Sequence, residues 1–225
     1  MHALVSGASR GIGRATALEL AERGARLTLV GRRSPALLGV LGELGGRGAQ
    51  YSFVEADLAD REAVARVGSE LAQQESFDAI VHAAGIIERA PLVAMDPDQL
   101  RRQFEVNLFA PLALTRALLP GMLAQKKGRI LFVSSISAHL PTATQIAYNS
   151  AKAGLTMAMR CLALELTDSG LMTAAVLPGA VDTDMLRGSP FPPRMTPEEV
   201  AKTLSFLVFD ASLAHNGAAL EMFGT

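Results

Sequence analysis

Seven short apolar runs recur along the chain: HALVS, ARLTLV, AQYSFVE, FDAIVHA, GRILFVS, LMTAAVL and AALEMF. They are apolar throughout instead of alternating, which is the pattern of strands buried on both faces, and such strands belong to a parallel sheet covered by helices. The stretches between them carry helical spacing. In GIGRATALELAERGA, Ile12, Ala15, Leu18 and Leu20 or Ala21 recur at three to four residues, and Gly24 is placed to stop the helix. DREAVARVGSELAQQ starts on the cap Asp60, and TPEEV offers the cap Thr196, Pro197 at the first helical position and Glu199 three residues after the cap. A third stretch, DPDQLRRQFEVNLFAPLALTRALL, has the same period, with Pro111 expected to bend or interrupt it. Strand, helix, strand in this order predicts a doubly wound α/β sheet. No linker or repeat divides the chain, so residues 1–225 read as a single domain. RGSPFPPRM, within 184–195, is the expected mobile segment.

Hydrophobic residues make up 49% of the chain and charged ones 19%, enough for a large core. A net charge of −1 gives no electrostatic reason to expect nucleic acid or an anionic membrane as partner. No apolar run in the sequence reaches the ~18 residues of a membrane span, and MHALVSGASRG lacks the build of a secretory signal. Cys161 is the only cysteine, which excludes internal disulfides and cysteine-based zinc clusters. Lying deep in an apolar helical run, it reads as a structural residue. No His, Asp and Glu spacing suggests a metal. These readings predict a soluble protein of a reducing compartment, the cytoplasm.

Two short stretches carry chemistry. In VSGASRGIGRA, Gly7, Gly11 and Gly13 follow the first strand and open the first helix. They let the backbone turn tightly and let a phosphate approach the helix N-terminus, where free N–H groups and the dipole attract anions. The spacing is G-x-x-x-G-x-G. An ordinary glycine-rich turn has the same letters, but strand, loop and helix in the required order favour dinucleotide binding. In YNSAK, Tyr148 and Lys152 stand one helical turn apart and share a face.

Other marks fall at matching places. EADL, with Asp57 and Leu58, ends the third strand; HAAG, with Ala84 and Gly85, ends the fourth; Asn107 sits in the following helix. Ser135 lies thirteen residues before Tyr148, and PGAVDT follows the sixth strand. Together with SGASRGIG and YNSAK, these marks closely resemble the short-chain dehydrogenase/reductase family over essentially the whole chain. The resemblance implies a seven-stranded Rossmann-like sheet, a nicotinamide cofactor, a Ser-Tyr-Lys catalytic set, a small-molecule carbonyl or alcohol substrate, and a homodimer or homotetramer.

On that resemblance Tyr148 is the acid/base, Ser135 bonds the substrate oxygen, Lys152 also holds the nicotinamide ribose, and Asn107 supports a water chain for proton relay. A free phenol with a pKa near 10 is a poor base at neutrality, and a cation one turn away should bring it toward working range. The cofactor cleft implied by the family takes in Gly7, Ser9, Arg10, Gly11, Ile12, Gly13, Leu58, Ala84 and Gly85. Asp57 would bond the adenine amino group, and Pro178, Gly179, Val181 and Thr183 would wrap the nicotinamide end. The chain departs from the family's pattern at His82 and Ala83, where two asparagines are common. The departure bears on local backbone bracing, and His82 reads as a satisfied core histidine.

Cofactor choice follows from LTLVGRR at the end of the second strand. NAD-selecting chains place an acid there for the ribose hydroxyls. Gly31 removes that carboxylate, and Arg32 and Arg33 supply planar cations suited to a 2′-phosphate, with Arg10 able to reach it from the glycine loop. The pattern favours NADP(H) over NAD(H), against the alternative that the arginines simply point into water. Ile86, Ile87, Leu140, Ile146 and Met185 border the expected substrate pocket. Their apolar character favours an uncharged or partly apolar carbonyl compound, while His139, Arg187 and Arg194 leave an anionic one open. A non-catalytic dinucleotide sensor is the rival class, and the intact Ser135, Tyr148 and Lys152 argue against it.

Overall fold

The computed structural model describes residues 1–74 and 76–224. Among these, seven strands form one parallel sheet: β1 His2–Ser6, β2 Arg26–Gly31, β3 Tyr51–Glu55, β4 Ala79–His82, β5 Gly128–Val133, β6 Leu171–Pro178 and β7 Ala219–Met222. Their spatial order is β3-β2-β1-β4-β5-β6-β7. The chain winds outward from β1 in one direction and then starts again at β4, so the order reverses between β1 and β4. Ligands of open α/β sheets bind beyond the carboxyl ends of the strands at such a reversal.

Helices α1 Gly11–Glu22, α2 Pro35–Gly46 and α7 Pro197–Phe209 cover one face. On the other lie α3 Arg61–Gln74, α4 Pro97–Phe104, α5 Ala110–Gln125 and α6 Ile146–Glu165. The sheet's faces produce two apolar cores. Leu27, Leu29 and Val176 anchor the first and Ile80, Ile130 and Phe132 the second, all at most 1% exposed. This is why the central runs contain no polar alternation. The edge strand β3 is the exception: only one neighbour covers it, and Tyr51 is exposed.

Caps behave as the sequence predicts. Asp60 Oδ1 accepts from the N–H groups of Glu62 and Ala63 at the start of α3. Thr196 and Glu199 form a complete capping box on α7.

Four expectations need correction. Helix α2 has no counterpart in the sequence reading, because Gly39, Gly42, Gly45 and Gly46 mask it. Its signals are the Ser34 cap, which accepts from Leu37 N–H, Pro35, and buried Leu37, Val40 and Leu44. The break expected at Pro111 comes earlier, as a π-helical turn over Glu105–Phe109, and Pro111 sits in the first turn of α5. With that turn, the run Pro97–Gln125 is long and apolar enough to cross a bilayer, although no such run stood out in the sequence. Here the run lies along the sheet and buries Val106, Leu114, Leu118 and Met122 in the second core. Cys161 is exposed, since α6 turns that position away from the sheet.

Candidate active site

The glycine loop joins β1 to α1 as a tight cradle. Gly7 has φ +76°, and a Cβ there would lie 2.6 Å from the Ala84 backbone. At Gly13 a Cβ would meet the Gly7 carbonyl oxygen at 2.2 Å. Only glycine lets these backbones approach so closely. Helix α1 has no side-chain cap and no acid in its first turn. Its leading N–H groups therefore face the cleft without a protein anion, while α4 and α7 have both a cap and first-turn acids. An uncapped N-terminus behind a glycine turn fits a dinucleotide's phosphates. Ser9 and Ile12 belong to this turn, and Ala84 and Gly85 close it from the end of β4.

The catalytic candidates come together from β5 and α6. Ser135, Tyr148 and Lys152 are 7%, 7% and 4% exposed, three polar side chains buried within one pocket wall. Ser135 caps the short turn after β5; its Oγ accepts from Ser137 N–H at 3.1 Å and donates to the Pro178 carbonyl at 3.5 Å. The Lys152 Nζ donates to the Val133 carbonyl at 2.8 Å and lies 5.8 Å from the Tyr148 ring centre. Beneath them Ser134 Oγ donates to the Lys152 carbonyl at 3.1 Å, fixing α6 against β5.

Burial acts on both titrating groups. It raises the Tyr148 phenol above its ordinary value, with the Ser135 hydroxyl and the Arg89 guanidinium pulling it back in part. It lowers the Lys152 ammonium to about 8. The expectation that Lys152 brings the phenol toward working range is thus corrected: in the protein by itself, desolvation outweighs the groups that favour the phenolate.

Asn107, wholly buried in the π turn, spends both ends of its side chain on one residue. Oδ1 accepts from Ile86 N–H at 3.0 Å and Nδ2 donates to the Ile86 carbonyl at 2.9 Å. The bracing thrown into question by His82 and Ala83 is supplied here. His82 packs as a core residue, bonded through Nε2 to Thr115 Oγ1 at 2.8 Å and stacked on Phe132, but its buried Nδ1 has no partner, so the expectation of a satisfied histidine holds for only one ring nitrogen. Burial lowers its pKa to about 3, which keeps the ring neutral.

Other predicted cofactor residues spread along the strand ends. Asp57 is exposed beyond β3 and accepts from Ala59 N–H, with Leu58 buried beside it. After β6, Gly179 N–H donates to the Met222 carbonyl, and Val181 is buried and bridged to Met195. That bridge pins both ends of segment 184–195. Thr183 packs against Gly11, whose Cβ would meet it at 3.1 Å. Two arginines differ from expectation. Arg10 turns toward Asp184 at 3.5 Å, at the segment after β6, instead of toward Arg32 and Arg33. Arg33 lies 3.5 Å from Glu55, brought alongside Gly31 by the β2–β3 register, while Arg32 is exposed.

A hollow of about 350 Å³ lined by Thr183, Leu186, Arg187 and Phe191 opens beside the cleft. A larger one, about 590 Å³, lies among His2, Arg26 and Asp78 at the opposite strand ends and shares no residue with the candidate set. Among the described residues no group of three His, Cys, Asp or Glu is placed to hold a metal ion. Sequence reasoning missed Arg89. Its signal is tertiary, a guanidinium between the Tyr148 pocket and the segment after β6.

Comparison with known proteins agrees with this architecture. A family profile described as short chain dehydrogenase matches residues 1–190. A 3-oxoacyl-[acyl-carrier-protein] reductase of Synechocystis sp. is 34% identical over 95% of this chain and 91% of its own length. A short chain dehydrogenase of Pseudocercospora fijiensis is 35% identical over 81% of this chain, which spans 60% of that relative's length. A provisionally assigned NAD(P)-dependent gluconate 5-dehydrogenase of Beutenbergia cavernae, solved with NADP at low occupancy, superposes with a TM-score of 0.93. It is 33% identical, over 99% of this chain and 95% of that one.

Proposed function

Because the chain belongs to the short-chain dehydrogenase family, we propose that it is an NADP(H)-dependent oxidoreductase interconverting a carbonyl compound and a secondary alcohol. The observation that carries the reading is the joint burial of Ser135, Tyr148 and Lys152 beside the uncapped end of α1. A nicotinamide cofactor held at the glycine turn of Gly7, Gly11 and Gly13 would supply the hydride in reduction and accept it in oxidation. The protein's residues handle the proton. Tyr148, held neutral by burial, donates its phenolic proton to the substrate oxygen as negative charge forms there. The Ser135 hydroxyl orients that oxygen, and Lys152 holds the ribose and stabilises the phenolate left behind.

A non-catalytic sensor would gain nothing from burying Lys152 beside Tyr148, since desolvating the ammonium has a cost. NADP(H) is preferred on the absence of an acid at Gly31 and the cations Arg32 and Arg33. Glu55 beside Arg33 tempers this preference without reversing it. The relatives' printed substrates, an acyl-carrier-protein ketone and gluconate, differ too much to pass to this chain. Assembly as a homodimer or homotetramer is supported by exposed Met157 and Leu164 on α6, and residence in the cytoplasm by kinship with the reductase of Synechocystis. The test is cofactor oxidation at 340 nm across a panel of ketones and aldehydes with NADPH and NADH. Turnover with higher kcat/KM for NADPH is expected; equal or better efficiency with NADH would overturn the cofactor assignment.

A further inference from the structure

The loop leaving β4 runs between the catalytic residues and the segment after β6. A Cβ at Gly85 would lie 3.6 Å from Lys152 Nζ and 3.8 Å from Met185 Cε. Ala90 N–H donates to the carbonyl of Thr144, four residues before Tyr148. Between these anchors stands Arg89. Its Nη2 donates to the Met185 carbonyl at 3.2 Å and its Nη1 to the Arg187 carbonyl at 3.5 Å, while its Nε is buried without a partner.

The neighbouring acids are engaged elsewhere. Glu88 is held by Arg102 through three hydrogen bonds, and Asp184 faces Arg10 and Arg187. Among the described residues no carboxylate lies within ion-pair distance of Arg89, whereas Arg14, Arg23, Arg33 and Arg47 each face one. Neutral carbonyls accept its hydrogen bonds but leave its charge uncompensated. A partly buried cation without a counter-ion is costly, and a guanidinium fork is shaped for a carboxylate. The bond from Ala90 to Thr144 brings this loop beside the start of α6, and the Arg89 charge favours the Tyr148 phenolate slightly.

We infer that Arg89 receives a carboxylate carried by the substrate, so that the preferred carbonyl compounds are oxo acids and, in reverse, hydroxy acids. The inference rests on the oxidoreductase reading above and narrows it. The competing source of negative charge is a cofactor phosphate, which the same variants distinguish.

The experiment uses 4-oxopentanoate, 5-oxohexanoate, 6-oxoheptanoate and 4-oxocyclohexanecarboxylate, each beside its methyl ester. Turnover is measured with NADPH, and binding by the change in NADPH fluorescence of the protein complex. For at least one pair, kcat/KM should favour the acid by about ten- to a hundredfold. Arg89→Gln should bring that ratio to about one and weaken acid binding by about tenfold or more, while Arg89→Lys keeps part of the preference. NADPH affinity should stay within about twofold in both variants. Acids and esters used alike by the unmodified protein, or a preference that survives Arg89→Gln, would overturn the inference. So would a loss of NADPH affinity without any loss of discrimination, which assigns Arg89 to the cofactor. If no carbonyl compound is turned over, the oxidoreductase reading falls, yet the binding arm still decides. Acid binding that depends on Arg89 supports the carboxylate site, and its absence refutes it.

Discussion

Tyr148 and Lys152 are driven toward neutrality by the same loss of water, from opposite sides. A protonated phenol suits the reductive direction, whereas oxidation needs the phenolate. Reduction should therefore be sustained near neutrality and alcohol oxidation should rise with pH through the alkaline range, in a pH–rate profile of kcat. Tyr148→Phe should lower turnover in both directions by about a thousandfold, within the range of lost acid–base catalysis, while NADPH still binds by fluorescence. Retained turnover would remove Tyr148 from the role. Lys152 makes a second prediction, about stability. Its native pKa of about 8 lies below the unfolded value of 10.5. Below pH 8 it is charged in both states, and its burial opposes folding in full. Between pH 8 and 10 the native state sheds the proton first, so stability rises with pH. Above 10 the raised phenol works the other way, because the unfolded chain ionises its tyrosine first. The lowered pKa amounts to roughly 3 kcal/mol, less about 1 for the bond to Val133. Lys152→Met should thus stabilise the unliganded protein by about 2 kcal/mol at pH 7, raising Tm by about 5 °C, while abolishing activity. An unchanged Tm at pH 7 would contradict the desolvation account.

At the level of elements, the proposed preference for NADP(H) rests on the β2–α2 turn. No atom lies within 4 Å of a Cβ built at Gly31, and its φ is not left-handed, so a side chain there meets neither clash nor strain. Gly31→Asp with Arg32→Ala should accordingly fold normally and shift the kcat/KM ratio toward NADH by about tenfold or more, because a charge-assisted hydrogen bond to the 2′-phosphate disappears and the new carboxylate repels it. A ratio that does not move would show that the 2′-phosphate is read elsewhere. The glycine loop, the strand runs and the capped helices were legible in the sequence because each rests on local rules: a tight turn, a buried run, a side chain three residues from an N–H. Helix α2 was hidden because its glycines offset a sound cap and a clear apolar stripe. The π turn was hidden for a different reason. What holds it is the clasp of Asn107 on Ile86, twenty-one residues away, and no local window contains both. Arg10, Arg33 and Arg89 carry the same lesson. Their residue type was visible, but what each meets, Asp184 for Arg10, Glu55 for Arg33 and two backbone carbonyls for Arg89, depends on sheet register and on the path of the segment after β6.

Across the whole molecule, α6 serves two surfaces. Its inner side, with Tyr148, Lys152, Leu155 and Met159, is buried, while Met157 and Leu164 are 56% and 78% exposed. The proposed assembly would cover these two side chains, which lie seven residues apart on one helix. Light scattering at micromolar concentration should report a dimer or tetramer, and Met157→Glu with Leu164→Glu should shift it toward the monomer. A monomeric unmodified protein would end this reading.

β7 gives the molecule a schedule as well as an edge. Its end meets three parts of the substrate side: Glu221 bonds His139, the Met222 carbonyl receives Gly179 N–H, and Gly224 lies so close to the Arg194 carbonyl that a Cβ would come within 2.2 Å. The proposed phosphate cradle, by contrast, draws on residues 7 to 85. On the ribosome, the elements that form the dinucleotide cradle emerge more than a hundred residues before those that brace the substrate wall. Because α1 packs on α7 and Gly11 lies against Thr183, the early residues of the glycine turn reach their final setting only when this late stretch arrives.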